Sequence, residues 1–456
     1  MKKIILSLAA YLPLVFFSQT NPAISTWLQN TTNIQGRHYV SGNSTPITDA
    51  VQANVQTVQY STNFVYVSTT GIPAYITGPF LDGNPSLASN QNAIFKFPLN
   101  PVQNTGTPTA TTAGNIGVFI NGVALFDYRD GVAWNPSTSS LCGGPGNPPC
   151  PGGQAAVMDW NRDAVPAEKL GFDCSKGHPA MGNYHHHQNP SAFKLDLNVI
   201  STICNLYDAD GLYAIDSTQH SPLIGFAYDG FPIYGAYGYK NNDGTGGITR
   251  IKSGYQLRNI TTRTTSPTGQ TVSTGPVVST SYPLGYFRED YEFISHPGNQ
   301  DYLDEHNGRF CVTPEYPNGI YAYFATVDAN WNSAYPYAVG PTFYGVKSAQ
   351  KVTSITETTT VYTSTNGIEN SDIKAVKISI FPNPAGDFIA VQAGGLMREN
   401  YTVELFDLNG KRIQTSTLYQ GSTIVYFDTQ SLYSGEYLVV LTSGKEKISR
   451  KIILEK

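Results

Sequence analysis

A helix-breaking residue is never far away along this chain: 43 glycines and 29 prolines are spread through 456 residues. In a helix interior each costs about 1 kcal/mol (Gly) or about 3 kcal/mol (Pro) relative to alanine, so long helices, coiled coils and helical bundles are excluded. Between the breakers lie short runs in which Thr, Val, Ile, Tyr and Phe alternate with polar residues, and the chain holds 30 Tyr and 21 Phe. Such runs, bounded by turn residues, read as strands. Charged residues make up only 13%, about half the usual share, which argues against charge-driven disorder. The expected fold is all-β: a large β-rich main domain of hairpins with long loops, followed by a small C-terminal Ig-like β-sandwich.

Residues 1–18 have the layout of a secretory signal peptide, with Lys2 and Lys3, an apolar run from Ile4 to Phe17 and the small Ser18. That run is too short for a spanning helix, and no later segment approaches 18 uncharged apolar residues, so no transmembrane segment is expected. Residues 19–373 hold 16 Lys and Arg against 25 Asp and Glu. A nucleic-acid reader presents a basic face; this acidic region is not one. Five cysteines lie beyond the signal segment, and in an oxidising exterior thiols pair. Cys142 and Cys150 bracket a tight Gly-Gly-Pro-Gly-Asn-Pro-Pro loop whose closure costs little entropy, so these two are expected to form a disulfide. Cys174 is left to pair with Cys204 or with Cys311.

A Thr- and Ser-rich stretch from Lys351 to Asp372 shows little apolar periodicity and reads as a linker over residues 351–374. It divides a main region, 19–350, from a C-terminal unit, 375–456, with six or seven short strand patterns and an Asn409-Gly410 hairpin turn. That unit carries Ile380-Phe381-Pro382-Asn383-Pro384, then Leu405-Phe406-Asp407-Leu408-Asn409-Gly410-Lys411, then Gly435-Glu436-Tyr437 and a basic end at Lys456. These motifs resemble the type A sorting domain of the type IX secretion system of Bacteroidetes. The resemblance implies that residues 375–456 are an address read by the type IX secretion machinery, leaving the main region secreted or held at the outer-membrane surface.

Within the main region, residues 117–126 (GVFINGVALF) echo residues 225–234 (GFAYDGFPIY). Each is an apolar run, an Asn-Gly or Asp-Gly pair, and a second run, which is a strong hairpin signal; either a duplication or two unrelated hairpins would produce it. Asp229 then reads as a turn residue rather than a catalytic acid. Four of the eight histidines crowd into ten positions: His178, His185, His186 and His187. If Tyr184 to Gln188 is a strand, His185 and His187 project from one face and His186 from the other. Two imidazoles on one face suit a divalent ion, copper or zinc, with His178 arriving through a turn as a third nitrogen. A second polar cluster, residues 295–309, offers His296 and His306 as further imidazoles, and Asp301, Asp304 or Glu305 as oxygen ligands or as acceptors that orient a ligand. Asp208, Asp210, Gly211 and Asp216 lack the spacing of a calcium loop and read as a turn.

The segments Asp173-Cys174-Ser175-Lys176-Gly177-His178-Pro179 and Tyr184-His185-His186-His187 come first, followed by residues 225–235. With Asp304-Glu305-His306-Asn307-Gly308-Arg309 and Thr313 to Gly319, they resemble the YHYH domain family over about residues 115–330. This chain has His186 where the family name has its second Tyr, which leaves the two same-face histidines intact. The resemblance supplies a domain and no established activity. Three functions fit the sequence: a secreted or surface metal-binding protein; an extracellular metalloenzyme with Asp304 or Glu305 as acid-base group; or an adhesin or glycan-binding module using Trp134, Trp160 and Trp331 as stacking surfaces.

Deleting residues 375–456 is expected to leave the main region folded, since units with their own cores separate at such boundaries, but to trap it inside the outer membrane. Fractionation of cells expressing the truncated chain checks this, and its normal appearance in the medium or at the surface would refute the address reading.

Overall fold

The structure is a computed structural model. It describes residues 20–31, 33–40, 43–81, 86–153, 157–191, 212–363, 378–393, 400–408, 410–419, 422–443 and 446–456. The expected signal segment, Cys204, and Asp208 to Gly211 lie outside the described residues. Strands dominate, as the breaker density requires, and none of the described helices is long and apolar enough to cross a membrane.

The centre of the main region is an eight-stranded sheet. In chain order its strands are β1 (Asn115–Phe119), β2 (Ala124–Phe126), β3 (Gly177–Ala180), β4 (Asn183–His186), β5 (Leu223–Ala227), β6 (Pro232–Tyr234), β7 (Gly308–Cys311) and β8 (Ile320–Phe324). They lie side by side in the order β3-β4-β2-β1-β5-β6-β8-β7, so that β7, β8, β6 and β5, read from one edge, take the places of β3, β4, β2 and β1 read from the other. The hairpins β1-β2 and β5-β6 meet antiparallel in the middle, with Val118 opposite Phe226. Each then takes a second hairpin on its outer side, β4 parallel to β2 and β8 parallel to β6. The echo between residues 117–126 and 225–234 is thus the sequence trace of two like-built halves. Even the irregularities agree, with a register shift between Asn115 and Gly117 in one half and between Leu223 and Gly225 in the other.

A five-stranded sheet covers one face, built from Gln350–Val352, Ala93–Pro98, Phe64–Thr69, Val55–Tyr60 and Thr360–Tyr362. Along Ala93–Pro98 alternate side chains are buried, so Phe95 and Phe97 point inward with period two. Trp27, carried by the short helix Pro22–Ser25, fills the gap between the sheets, with its ring 5.6 Å from Phe97 and 5.3 Å from Phe226. One apolar core runs from Ala23 to Ala349. The N-terminal residues therefore share the main core rather than forming a module of their own.

Two expectations are corrected. The stretch read as a linker begins with strands: Gln350–Val352 pairs with Ala93–Pro98, and Thr360–Tyr362 pairs with Val55–Tyr60. Thr and Val favour extended backbone, and an exposed edge strand needs only one apolar face, so its composition is close to that of a linker. Trp134 and Trp160 are buried and offer no stacking surface, whereas Trp331 is half-buried, its indole N–H donating to the Tyr237 hydroxyl. The C-terminal unit is a two-sheet sandwich of three and four strands around Val391, Val403, Leu405, Val439 and Leu441, as expected. Cys142 and Cys150 are bridged. Cys174 is likewise disulfide-bonded, and Cys311 is a buried free thiol.

The outer hairpins are locked by Gly177 under Tyr184 and Gly308 under Tyr321, where an added Cβ would lie less than 3.0 Å from the phenol. Gly308→Ala should therefore lower the unfolding free energy by about 1–3 kcal/mol, the usual cost of overpacking. A urea midpoint unchanged from that of the parent chain would show that the phenol can move aside.

Candidate metal centre

Asp173 sets the geometry of the first outer hairpin. Its Oδ1 accepts the amides of Ser175 and Gly177, at 2.9 and 3.1 Å, while its Oδ2 accepts the Tyr184 hydroxyl at 2.8 Å and the Gly78 amide at 2.9 Å. The turn so fixed puts β3 and β4 in the register that pairs His178 with His185. His187 follows directly after β4. The parity expected of a strand is observed: His185 and His187 turn to one side, while His186 turns to the other and meets the Tyr75 hydroxyl at 2.7 Å. Burial pushes His186 down to about 3, so this imidazole is neutral and structural.

On the first face three imidazoles converge. His185 Nε2 lies 3.1 Å from His187 Nε2, and His178 Nε2 lies 3.4 Å from His187 Nε2. All three side chains are buried, and one ring nitrogen from each lies within 4.8 Å of the others. Four donors held tetrahedrally at zinc-nitrogen distances would be roughly 3.3–3.4 Å apart. Their other nitrogens are held from behind: His185 Nδ1 is 2.9 Å from the Asn183 carbonyl and His187 Nδ1 is 2.6 Å from the Asp127 carbonyl. A carbonyl only accepts, so both Nδ1 atoms carry their protons, and each neutral ring then presents its Nε2 lone pair to the same point. Two lone pairs 3.1 Å apart repel unless a proton or a metal ion lies between them.

Sequence reasoning missed Glu168. It ends the short helix Ala164–Glu168 and brings Oε2 to 3.2 Å from Nε2 of both His178 and His187. Distance alone makes these ion-pair contacts; the oxygen satisfies hydrogen-bond geometry to neither imidazole. Burial pushes the Glu168 carboxyl up, but His178 and His187 outweigh it and hold the group well below the usual carboxylate range. Burial likewise opposes charge on His187, yet Glu168 and the Asp127 carbonyl raise it above the ordinary imidazole value. His185, buried and facing two other imidazoles, falls well below that value. No local pattern marks Glu168. Its helix is held from Asp163, whose Oδ1 caps Val165 at 2.9 Å and whose Oδ2 accepts the Tyr337 hydroxyl at 2.6 Å.

In front of the triad opens a pocket of about 570 Å³, lined by His178, His185, His187, Glu168, Phe126 and Arg129 and walled by the loop that the Cys142–Cys150 disulfide closes. The second polar cluster does not reach it. His296 stacks on Tyr302, ring centres 3.8 Å apart, and His306 Nδ1 is 2.7 Å from the Thr342 hydroxyl. Neither belongs to the group of converging nitrogens. Asp304 is occupied by its own turn and by Tyr321, Asp301 pairs with Lys252 at 2.8 Å, and Glu305 is exposed. The carboxylate beside the triad is Glu168 in place of Asp304 or Glu305. Asp229 serves its turn and accepts the Tyr323 hydroxyl.

Fold and site together define an all-β protein with a buried imidazole cluster lining a pocket. The family described as YHYH protein matches residues 94–336, more than half of the chain, and the chain belongs to that family. A secretion system C-terminal sorting domain matches residues 379–455. The chain is therefore handled by the type IX secretion machinery and exported to the cell surface or the medium. Among curated proteins, none matches the chain.

Burial, against the opposing hydrogen bonds from Tyr337 and Val165, pushes Asp163 up to about 8, whereas an unfolded Asp titrates near 3.9. The folded chain thus binds the extra proton between those values, so this group's stabilising contribution is complete below about 3.9 and is lost as pH rises through about 8. Asp163→Asn should flatten the fall in stability over that window by a few kcal/mol. Thermal melts from pH 5 to pH 9 check it; parallel curves for the two chains would show that Asp163 ionises freely.

Proposed function

We propose that the chain is an exported metal-binding protein in which the Nε2 atoms of His178, His185 and His187 hold one divalent ion, zinc or copper(II). The convergence of three Nε2 atoms, two of them with Nδ1–H committed to carbonyl oxygens, is the observation that carries this reading, because a positive centre is needed where the lone pairs meet. Imidazole suits both ions. Three protein ligands leave a fourth position towards the pocket, with Glu168 beside it. Catalytic zinc sites share that arrangement, a bound water next to a carboxylate that can take its proton. The pocket and Glu168 thus favour the metalloenzyme over a purely structural metal centre as the second reading. A protein without metal would instead keep a proton there, as a His187–Glu168 ion pair.

Titration of the tag-free mature chain with zinc and copper separates these cases. One tightly bound ion per chain is expected. His185→Ala and His187→Ala should each weaken binding by more than the about 10- to 100-fold typical of removing an outer partner, a loss within that range is expected of Glu168→Gln, and His186→Phe should leave affinity unchanged. Affinity should fall as pH drops, beginning above the ordinary imidazole value of about 6.5, because Glu168 makes His187 hold its competing proton more tightly. Equal losses for His186 and His187, or no binding at pH 7.5, would leave the protonated ion pair as the explanation.

A further inference from the structure

The two halves of the central sheet can be superposed residue by residue through their pairing, and the match extends well past the two inner hairpins. His186 pairs with Leu125 in one half and Tyr323 with Ile233 in the other, so Tyr184, His185, His186 and His187 correspond to Tyr321, Ala322, Tyr323 and Phe324. His178 lies opposite His185, and Arg309 opposite Ala322.

The turns agree in detail. Asp304 accepts the amides of His306 and Gly308 and the Tyr321 hydroxyl, as Asp173 accepts those of Ser175, Gly177 and Tyr184. Lys176 and Asn307, at the same place in each turn, both have positive φ, 61° and 66°. Positions alike in both halves are thereby marked as scaffold: the Asp, the Gly and the first Tyr. On the triad's face of the sheet three positions differ: His178 against Arg309, His185 against Ala322, and His187 against Phe324. They are the three whose nitrogens converge in the first half.

We propose that the sheet is an internal duplication and that its second half holds a converted copy of the triad site, in which the guanidinium of Arg309 stands where the first half would place its metal ion. Arg309 is 6% exposed. Its guanidinium donates to the carbonyl oxygens of Tyr239, Lys240 and Gln300 and lies 5.3 Å from the centre of the Phe324 ring, repeating the approach of His178 to His187. Arg309 meets the backbone carbonyl of Gln300, four residues before Asp304, where His178 meets the side-chain carboxylate of Glu168, five residues before Asp173. A fixed organic cation among carbonyl oxygens meets the electrostatic need that a bound cation would meet, and Arg suits the role because it stays charged when buried. The duplicated fold therefore carries one metal site where its plan has room for two. This inference rests on the metal reading of the first half.

The test is to rebuild the second site in the full-length chain with Arg309→His, Ala322→His and Phe324→His, alone and combined with His185→Ala and His187→Ala. Zinc stoichiometry, by calorimetry and metal analysis, should rise from one to two in the first chain and be one in the second. A folded rebuilt chain that still binds one ion, lost on adding His185→Ala and His187→Ala, would overturn the equivalence. If the parent binds no zinc but the rebuilt chain binds one, the metal reading of the first half fails and the equivalence stands.

Should the rebuilt chain not fold, or neither chain bind zinc, Arg309→Ala decides. It should melt lower than the parent and regain part of that loss with millimolar methylguanidinium but not with methylammonium. Absence of rescue would show that the carbonyl cluster is not a cation site.

Discussion

The register of one short hairpin governs the site. Because side chains alternate along a strand, a slip of one residue between β3 and β4 would send His185 to the far face and His186 to the near one. Asp173 prevents that slip by binding two amides of the turn and the Tyr184 hydroxyl at once, and the absence of a side chain at Gly177 lets the phenol lie across the strand. The interaction sits entirely on the side of the sheet away from the triad. It follows that the Tyr of the motif and the two outer His of the motif do different work: one fixes the backbone, the others present nitrogen atoms.

Much of this could be read from the sequence because it is local. Glycine and proline density excluded long helices, and strand parity alone put His185 and His187 together and His186 apart. The echo between residues 117–126 and 225–234 was visible as two hairpins, but its meaning depended on β1 and β5 pairing at the centre, a contact between segments about a hundred residues apart that no local pattern encodes. Glu168 was invisible for a similar reason. Its short helix has no periodic signal, and its position depends on Asp163 meeting Tyr337 from a distant segment. His296 and His306 attracted notice through composition, yet one stacks on Tyr302 and the other binds Thr342; a polar cluster rich in Asp and Asn is also what a tight turn needs. The Thr-rich segment near residue 355 was misread because edge strands and linkers draw on the same residues.

Belonging to the YHYH family adds a frame to these contacts without adding a reaction. Within that frame the chain departs from the family name at His186, whose partner is the Tyr75 hydroxyl and whose low affinity for protons follows from complete burial. The departure exchanges one neutral hydrogen-bonding ring for another on the structural face, and its counterpart in the second half, Tyr323, hydrogen-bonds Asp229 from the corresponding position. The chemistry-bearing face is untouched by the exchange.

The loop between Cys142 and Cys150 forms a wall of the pocket in front of the triad. Cytosolic thiol chemistry keeps cysteines reduced, whereas the compartments beyond the inner membrane oxidise them. A chain still in the cytoplasm therefore has its imidazoles but not its finished pocket. Closure of that wall is thereby coupled to departure from the cytoplasm and is complete before the chain reaches the cell surface or the medium.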